Sequence, residues 1–213
     1  MMKKEQQVAS IIEILKQEYP DAICTLDYEN PVQLLVATQL AAQCTDARVN
    51  IVTKTLFQKY PDAEAFAKAD YETLCEEIHS TGFFRSKARH IIDCCQILCE
   101  KYNGEVPSDM KELTALPGVG RKTASIIRGD VYHLPAVVTD THAMRLSYRM
   151  GLTQYRDNPY KIEMDLAKII PPDEQADFCH RLVEHGRAVC MARRPNCAEC
   201  ALADYCKKVG VKS

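Results

Sequence analysis

No stretch of the 213 residues approaches the roughly 20 consecutive apolar residues that a membrane-spanning helix needs, although 46% of the chain is hydrophobic. The opening Met1-Met2-Lys3-Lys4-Glu5-Gln6-Gln7 lacks the apolar core of a signal peptide. The chain is therefore expected to stay in a reducing compartment, the cytoplasm, where its 11 cysteines do not imply disulfides. No repeat or low-complexity segment is visible, and no convincing alternating strand; Val137-Val138 is too short to carry a sheet. Positive charge is not in excess either. With 27 Lys and Arg against 29 Asp and Glu, the net charge is −2 and the pI about 6.3, which alone argues mildly against a nucleic-acid partner.

What remains is helical period. Val8, Ile11, Ile12 and Leu15 recur at helix spacing across 6–19, and Asn30-Pro31 pairs an N-cap with a proline at the first helical position of 31–43. Further helices are predicted over 45–60, 71–80, 85–102, 108–116, 120–132, 141–151, 158–170 and 173–190, with Gly82, Asn103-Gly104 and Pro171-Pro172 as stops. An all-α protein of about ten helices with short loops follows. Its charges are patchy. Acidic residues gather over 62–77. Basic ones gather at Arg85-Ser-Lys87-Ala-Arg89, Arg121-Lys122, Arg145/Arg149 and Arg193-Arg194. Such patches can hold DNA on one face, or can be ordinary solvated helix faces.

One segment stands out, Leu116-Pro117-Gly118-Val119-Gly120 followed by Arg121-Lys122-Thr123-Ala124. Proline and two glycines make a tight turn, and the following residues open a helix whose first N–H groups and dipole form a general anion site. Lys122 sits in that first turn, where a cation is unfavourable. The spacing is not that of a P-loop, and Thr123 stands where a dinucleotide fingerprint needs its third glycine.

The C-terminal cysteines are more specific still. Cys190, Cys197, Cys200 and Cys206 read C-x6-C-x2-C-x5-C within 17 residues. Four thiolates this close suit a tetrahedral metal or a cubane cluster, and one uneven compact loop favours [4Fe–4S] over the paired knuckles of structural zinc. The seven other cysteines are scattered at helical positions as small hydrophobes.

The glycine turn and the cysteine run, with residues 34–46, Gly82-Phe-Phe-Arg-Ser-Lys87-Ala, Asn103-Gly-Glu-Val-Pro107, Thr139-Asp-Thr-His142 and Glu184-His-Gly-Arg187, cover nearly the whole chain. Together they resemble the helix-hairpin-helix DNA glycosylases, in particular the endonuclease III family. The resemblance implies a two-lobed fold: a six-helix lobe over 25–133 carrying the hairpin, and a cluster lobe from 1–24 plus 134–213, with DNA between them. It implies that Lys122 is the nucleophile and Asp140 the catalytic aspartate of a bifunctional glycosylase/lyase of base excision repair. Such an enzyme flips damaged pyrimidines out of double-stranded DNA, forms a Schiff base and nicks 3′ to the abasic site by β-elimination.

The residue chemistry permits this. A helix N-terminus, Arg121 and partial burial would each help to keep Lys122 neutral, and Asp140, before the cap expected at Thr141, could stabilise positive charge on the sugar. The resemblance further implies Gln43 and Phe83 as wedges filling the vacated stack. Gly118, Gly120, Arg121, Arg193 and Arg194 become phosphate contacts, Cys190, Cys197, Cys200 and Cys206 the [4Fe–4S] ligands, and a monovalent cation at the hairpin is optional. A monomer associated with a bacterial nucleoid fits this picture. Ser125, Thr139, Tyr148 and Phe83 depart from the commonest family residues without removing a catalytic group. Two other readings stay open: a monofunctional mismatch glycosylase of the same superfamily, and a non-catalytic iron–sulfur DNA-binding protein.

Overall fold

The computed structural model describes residues 4–211. Met1, Met2 and Lys3 of the N-terminal stretch discussed above, with Lys212 and Ser213, lie outside the described residues. Among the described residues there are eleven α-helices and no strand: α1 Lys4–Glu18, α2 Pro31–Leu40, α3 Asp46–Lys59, α4 Ala63–Ala67, α5 Tyr71–Glu77, α6 Phe84–Tyr102, α7 Met110–Ala115, α8 Arg121–Ile126, α9 Thr141–Met150, α10 Pro159–Ile169 and α11 Gln175–Ala188. The chain divides into two compact units, one of Thr25–Tyr132 and the other of the described parts of Met1–Cys24 and His133–Ser213.

The helix starts follow from capping chemistry. Asn30, Thr45, Asp62, Asp70, Asp109, Asp140 and Asn158 each accept a hydrogen bond from a backbone N–H of the first turn, meeting donors that the helix itself leaves orphaned. Asp140 is itself the cap of α9, a role expected of Thr141. The helix predicted to reach Gln43 ends at Leu40, and residues 41–43 form a turn in which Gln43 takes a left-handed φ of 55°. Short α4, unanticipated from the sequence, is held by its one large side chain: Phe66 is fully buried, stacks on Tyr60 at 5.0 Å and meets Phe57 edge-on.

In the Thr25–Tyr132 unit, Leu34, Leu35, Leu74, Ile78, Ile91, Leu98 and Leu113 are all fully buried. They come from α2, α5, α6, α7 and the residue after α5, so these elements share one apolar core. The other unit packs Ile11 and Leu15 of α1 with Leu146 of α9, Leu166 of α10, and Phe178 and Leu182 of α11. Gln7 donates to the carbonyls of Met150 (3.0 Å) and Tyr205 (2.6 Å), tying α1 to the end of α9 and to the C-terminal loop.

Candidate functional site

The glycine turn joins α7 to α8, forming a helical hairpin within the Thr25–Tyr132 unit. Val119 N–H donates to Leu116 O at 3.1 Å across the turn. Gly118 has φ of 72°, and a Cβ there would lie 2.8 Å from His90 Cβ and 3.0 Å from Gln39 Oε1, so only glycine fits. Gly120 is different. Its φ is −86° and the space before it is open, so the backbone does not demand glycine; its bareness leaves the α8 N-terminus accessible. No side chain caps α8. The hairpin is braced from behind, where Arg128 donates to Ser108 O at 2.6 Å and the Tyr132 hydroxyl to Val106 O, across a π-helical turn at Ile127–Val131.

Arg121 and Lys122 are both exposed in the first turn of α8. The expected partial burial of Lys122 is not seen, because the turn lifts it clear of the core while Ala124 and Ser125 face inward. In the same unit Gln43 and Phe83 are also exposed, Phe83 to 66%, and both occupy the left-handed region, with φ of 55° and 48°. Such backbone is unusual outside glycine and costly for an aromatic residue.

In the other unit, Asp140 is half-buried and its two oxygens are engaged. Oδ1 accepts the Ala143 N–H at 2.7 Å and Oδ2 faces His142 Nδ1 at 3.2 Å. The helix N-terminus and its N–H groups stabilise negative charge there. His142 is wedged against α11: a Cβ on Gly186 would lie 2.5 Å from His142 Cδ2 and 2.9 Å from Arg145 Nη2. His142 and Gly186 stand inside Thr139-Asp-Thr-His142 and Glu184-His-Gly-Arg187, where nothing local gives them a task. A lone glycine inside a long helical pattern was the available signal of close packing.

The Cys190, Cys197, Cys200 and Cys206 side chains line a common pocket together with apolar residues including Leu146 and Leu202. Burial pushes the Cys200 and Cys206 thiols up, and the neighbouring cysteines add to the effect, so a positively charged core is what lets such a group ionise together. Among the described residues, no group of three or more His, Cys, Asp or Glu side chains is arranged to hold one metal ion. A common pocket that brings four soft thiols together fits a polynuclear iron–sulfur core better.

The loop that carries these cysteines is pinned from α9. Arg149, buried, donates to the Cys190, Met191 and Ala192 carbonyls at 2.8–3.3 Å and to Cys190 Sγ at 3.2 Å, and Arg145 donates to Gly186 O and Cys190 O. His185, buried and shifted towards its neutral form by that burial, lies between the Tyr19 hydroxyl (3.1 Å) and Cys200 Sγ (3.5 Å). Arg193 and Arg194 stay exposed on the loop.

The basic patches read from the sequence are thus partly internal. Lys87, Arg145 and Arg149 spend their donors on backbone carbonyls. Cys75, Cys94, Cys95 and Cys179 are buried, the Cys94 thiol being pushed up to about 12.

An all-helical chain with a glycine-turn hairpin and a four-thiol terminal pocket has the architecture of a helix-hairpin-helix iron–sulfur protein. The family model for the HhH-GPD superfamily base excision DNA repair proteins matches residues 36–172, and that for the iron–sulfur binding domain of endonuclease III matches 190–206, bounded by the first and last of the four cysteines. Endonuclease III from Synechocystis is 53% identical over 207 residues (97% of this chain, 94% of the relative). That from Bacillus subtilis is 41% identical over 203 residues (95% and 93%). A solved structure of a trapped endonuclease III–DNA covalent intermediate superposes with a TM-score of 0.90 at 43% identity, over 98% of this chain and 97% of the other. A thermostable thymine-DNA glycosylase, at 21% identity and a TM-score of 0.86 over 96% of each chain, shares the fold. The chain belongs to the endonuclease III family of HhH-GPD base excision DNA repair proteins.

Proposed function

We propose that this protein is a bifunctional DNA glycosylase/AP lyase that removes oxidised pyrimidines from duplex DNA, with Lys122 as nucleophile and Asp140 as its acidic partner. The observation that carries the reading is an exposed lysine in the uncapped first turn of the hairpin helix, in a chain of this family. A glycosylase that acts through water does not require an amine there.

The neutral Lys122 amine forms a bond to C1′ as the bond from C1′ to the base breaks, and the base leaves with a proton. Loss of the amine proton and opening of the sugar ring give an iminium. Removal of a C2′ proton then expels the 3′ phosphate, and water releases the enzyme. Asp140, its oxygens fixed by Ala143 N–H and His142, stabilises positive charge on the sugar and relays protons. Arg121 and the N–H groups after Gly118 and Gly120 hold one phosphate, and Arg193 and Arg194 are phosphate contacts of their own. Gln43 and Phe83 fill the space that the flipped base leaves.

Cys190, Cys197, Cys200 and Cys206 hold a [4Fe–4S] cluster, which when bound fixes the 190–206 loop through four ligand bonds. No helix among the described residues is long and apolar enough to cross a membrane. We infer a monomer acting on nucleoid DNA in the cytoplasm.

Duplexes carrying single lesions, assayed for base release and for nicking in parallel, test this. Thymine glycol should give both products in a fixed ratio. Base release without nicking would favour a monofunctional enzyme, and DNA binding with neither product a non-catalytic protein.

A further inference from the structure

Lys87 lies in the first turn of α6 and is 6% exposed, yet it keeps its ammonium inside the Thr25–Tyr132 unit. Its Nζ donates to Leu40 O at 2.7 Å and to Thr81 O at 2.8 Å. Its own backbone N–H donates to Phe83 O at 3.1 Å. Burial pulls its pKa down, and Cys44, within electrostatic reach, pulls it partly back up. A buried cation costs free energy unless it is fully engaged, so its position demands a reason.

The two carbonyls it grips supply one. Leu40 ends α2, and Gln43 follows three residues later. Thr81 ends a 3₁₀ turn, and Phe83 follows two residues later. Both carbonyls belong to helix C-termini, whose acceptors lack partners within the helix. The two exposed residues they lead to are both in left-handed backbone, which persists only where the surroundings enforce it. One ammonium therefore clamps the roots of both turns to each other and to α6.

We propose that Lys87 is a positioning residue that sets Gln43 and Phe83 jointly, so that the two wedges enter the DNA stack as a pre-formed pair. The proposal rests on the assignment of those two residues as wedges. Removing the ammonium while keeping the stem, as in Lys87→Met, should loosen both turns at once and slow base extrusion without touching the hairpin that carries Lys122.

The experiment compares single-turnover base release from a thymine glycol duplex by cluster-loaded protein in four forms: wild type, Lys87→Met, the pair Gln43→Ala/Phe83→Ala, and all three changes together. Amide hydrogen exchange is followed over 41–44, 82–84 and 116–120. Lys87→Met should slow base release about tenfold, within the range reached by misplacing a positioned group, but less than about twofold in the protein already lacking both wedges, as expected when one residue acts through the others. Exchange should rise over 41–44 and 82–84 together and stay level over 116–120. If Lys87→Met does not fold, Lys87→Gln, whose shorter neutral side chain does not span both carbonyls, takes its place. The same loss in both backgrounds, or exchange that rises in only one of the two turns, overturns the clamp. Unimpaired base release by the Gln43→Ala/Phe83→Ala protein overturns it through the wedge assignment instead, and the two failures are told apart by that one control.

Discussion

Lys122 and Asp140 occupy opposite kinds of environment, one exposed on a bare helix start and one braced by a helix and a histidine. Asp140 combines a cap with a charge, and the two can be separated. Asparagine caps as well as aspartate. Asp140→Asn should therefore leave the thermal midpoint nearly unchanged while base release falls about a hundredfold or more, the scale of losing one aimed electrostatic group. Undiminished base release by Asp140→Asn would instead reduce Asp140 to a structural cap.

The two hairpin glycines should also part company. Gly118→Ala must place a Cβ against His90 in left-handed backbone and should cost about 1–3 kcal/mol in denaturant unfolding. Gly120→Ala meets open space and should stay within about 0.5 kcal/mol, so any loss of DNA affinity in it reports contact with the ligand.

Among the elements, α7 depends on its start. Asp109 accepts from the Lys111 and Glu112 N–H groups, and these bonds hold its carboxyl below the usual value. A lowered folded value means stability that is present above the unfolded value of about 3.9 and fades as the pH falls from there through the folded one. Melting curves from about pH 6 down to 2.5 should show the gap between wild type and Asp109→Ala holding steady and then narrowing below about 4. Asp109→Asn should show no such narrowing.

The crossing of α9 and α11 depends on Gly186. Gly186→Ala drives a methyl into His142 and Arg145, and should cost about 1–3 kcal/mol. It should also lower activity further than stability explains, because His142 faces Asp140.

Local signals placed most of these elements. Proline and capping residues marked where α2 and α10 begin, and the glycine turn stood out because its spacing is local. What escaped the sequence depends on distant partners. Gln43 reads as the end of a helix until Lys87 is seen holding Leu40 O, 47 residues away. Lys87 and Arg149 read as surface charge until their carbonyl partners are known. Five-residue α4 has too few turns to show a period, and its anchor Phe66 is legible only once Tyr60 is packed against it.

For the molecule as a whole, a net charge of −2 leaves DNA binding to a few well-placed cations. Arg121, Arg193 and Arg194 are the exposed ones assigned to phosphates here. Three such contacts predict that log affinity falls with log salt at a slope of about −3, and that Arg193→Ala/Arg194→Ala together reduces its magnitude by about 2. A slope unchanged in that variant would remove the loop from the interface.

The central claim is tested most directly by borohydride reduction during reaction with thymine glycol duplex, followed by peptide mass mapping. The account predicts a covalent protein–DNA adduct on Lys122, and none with Lys122→Ala. No adduct from the wild-type protein, or an undiminished adduct from Lys122→Ala, would contradict it.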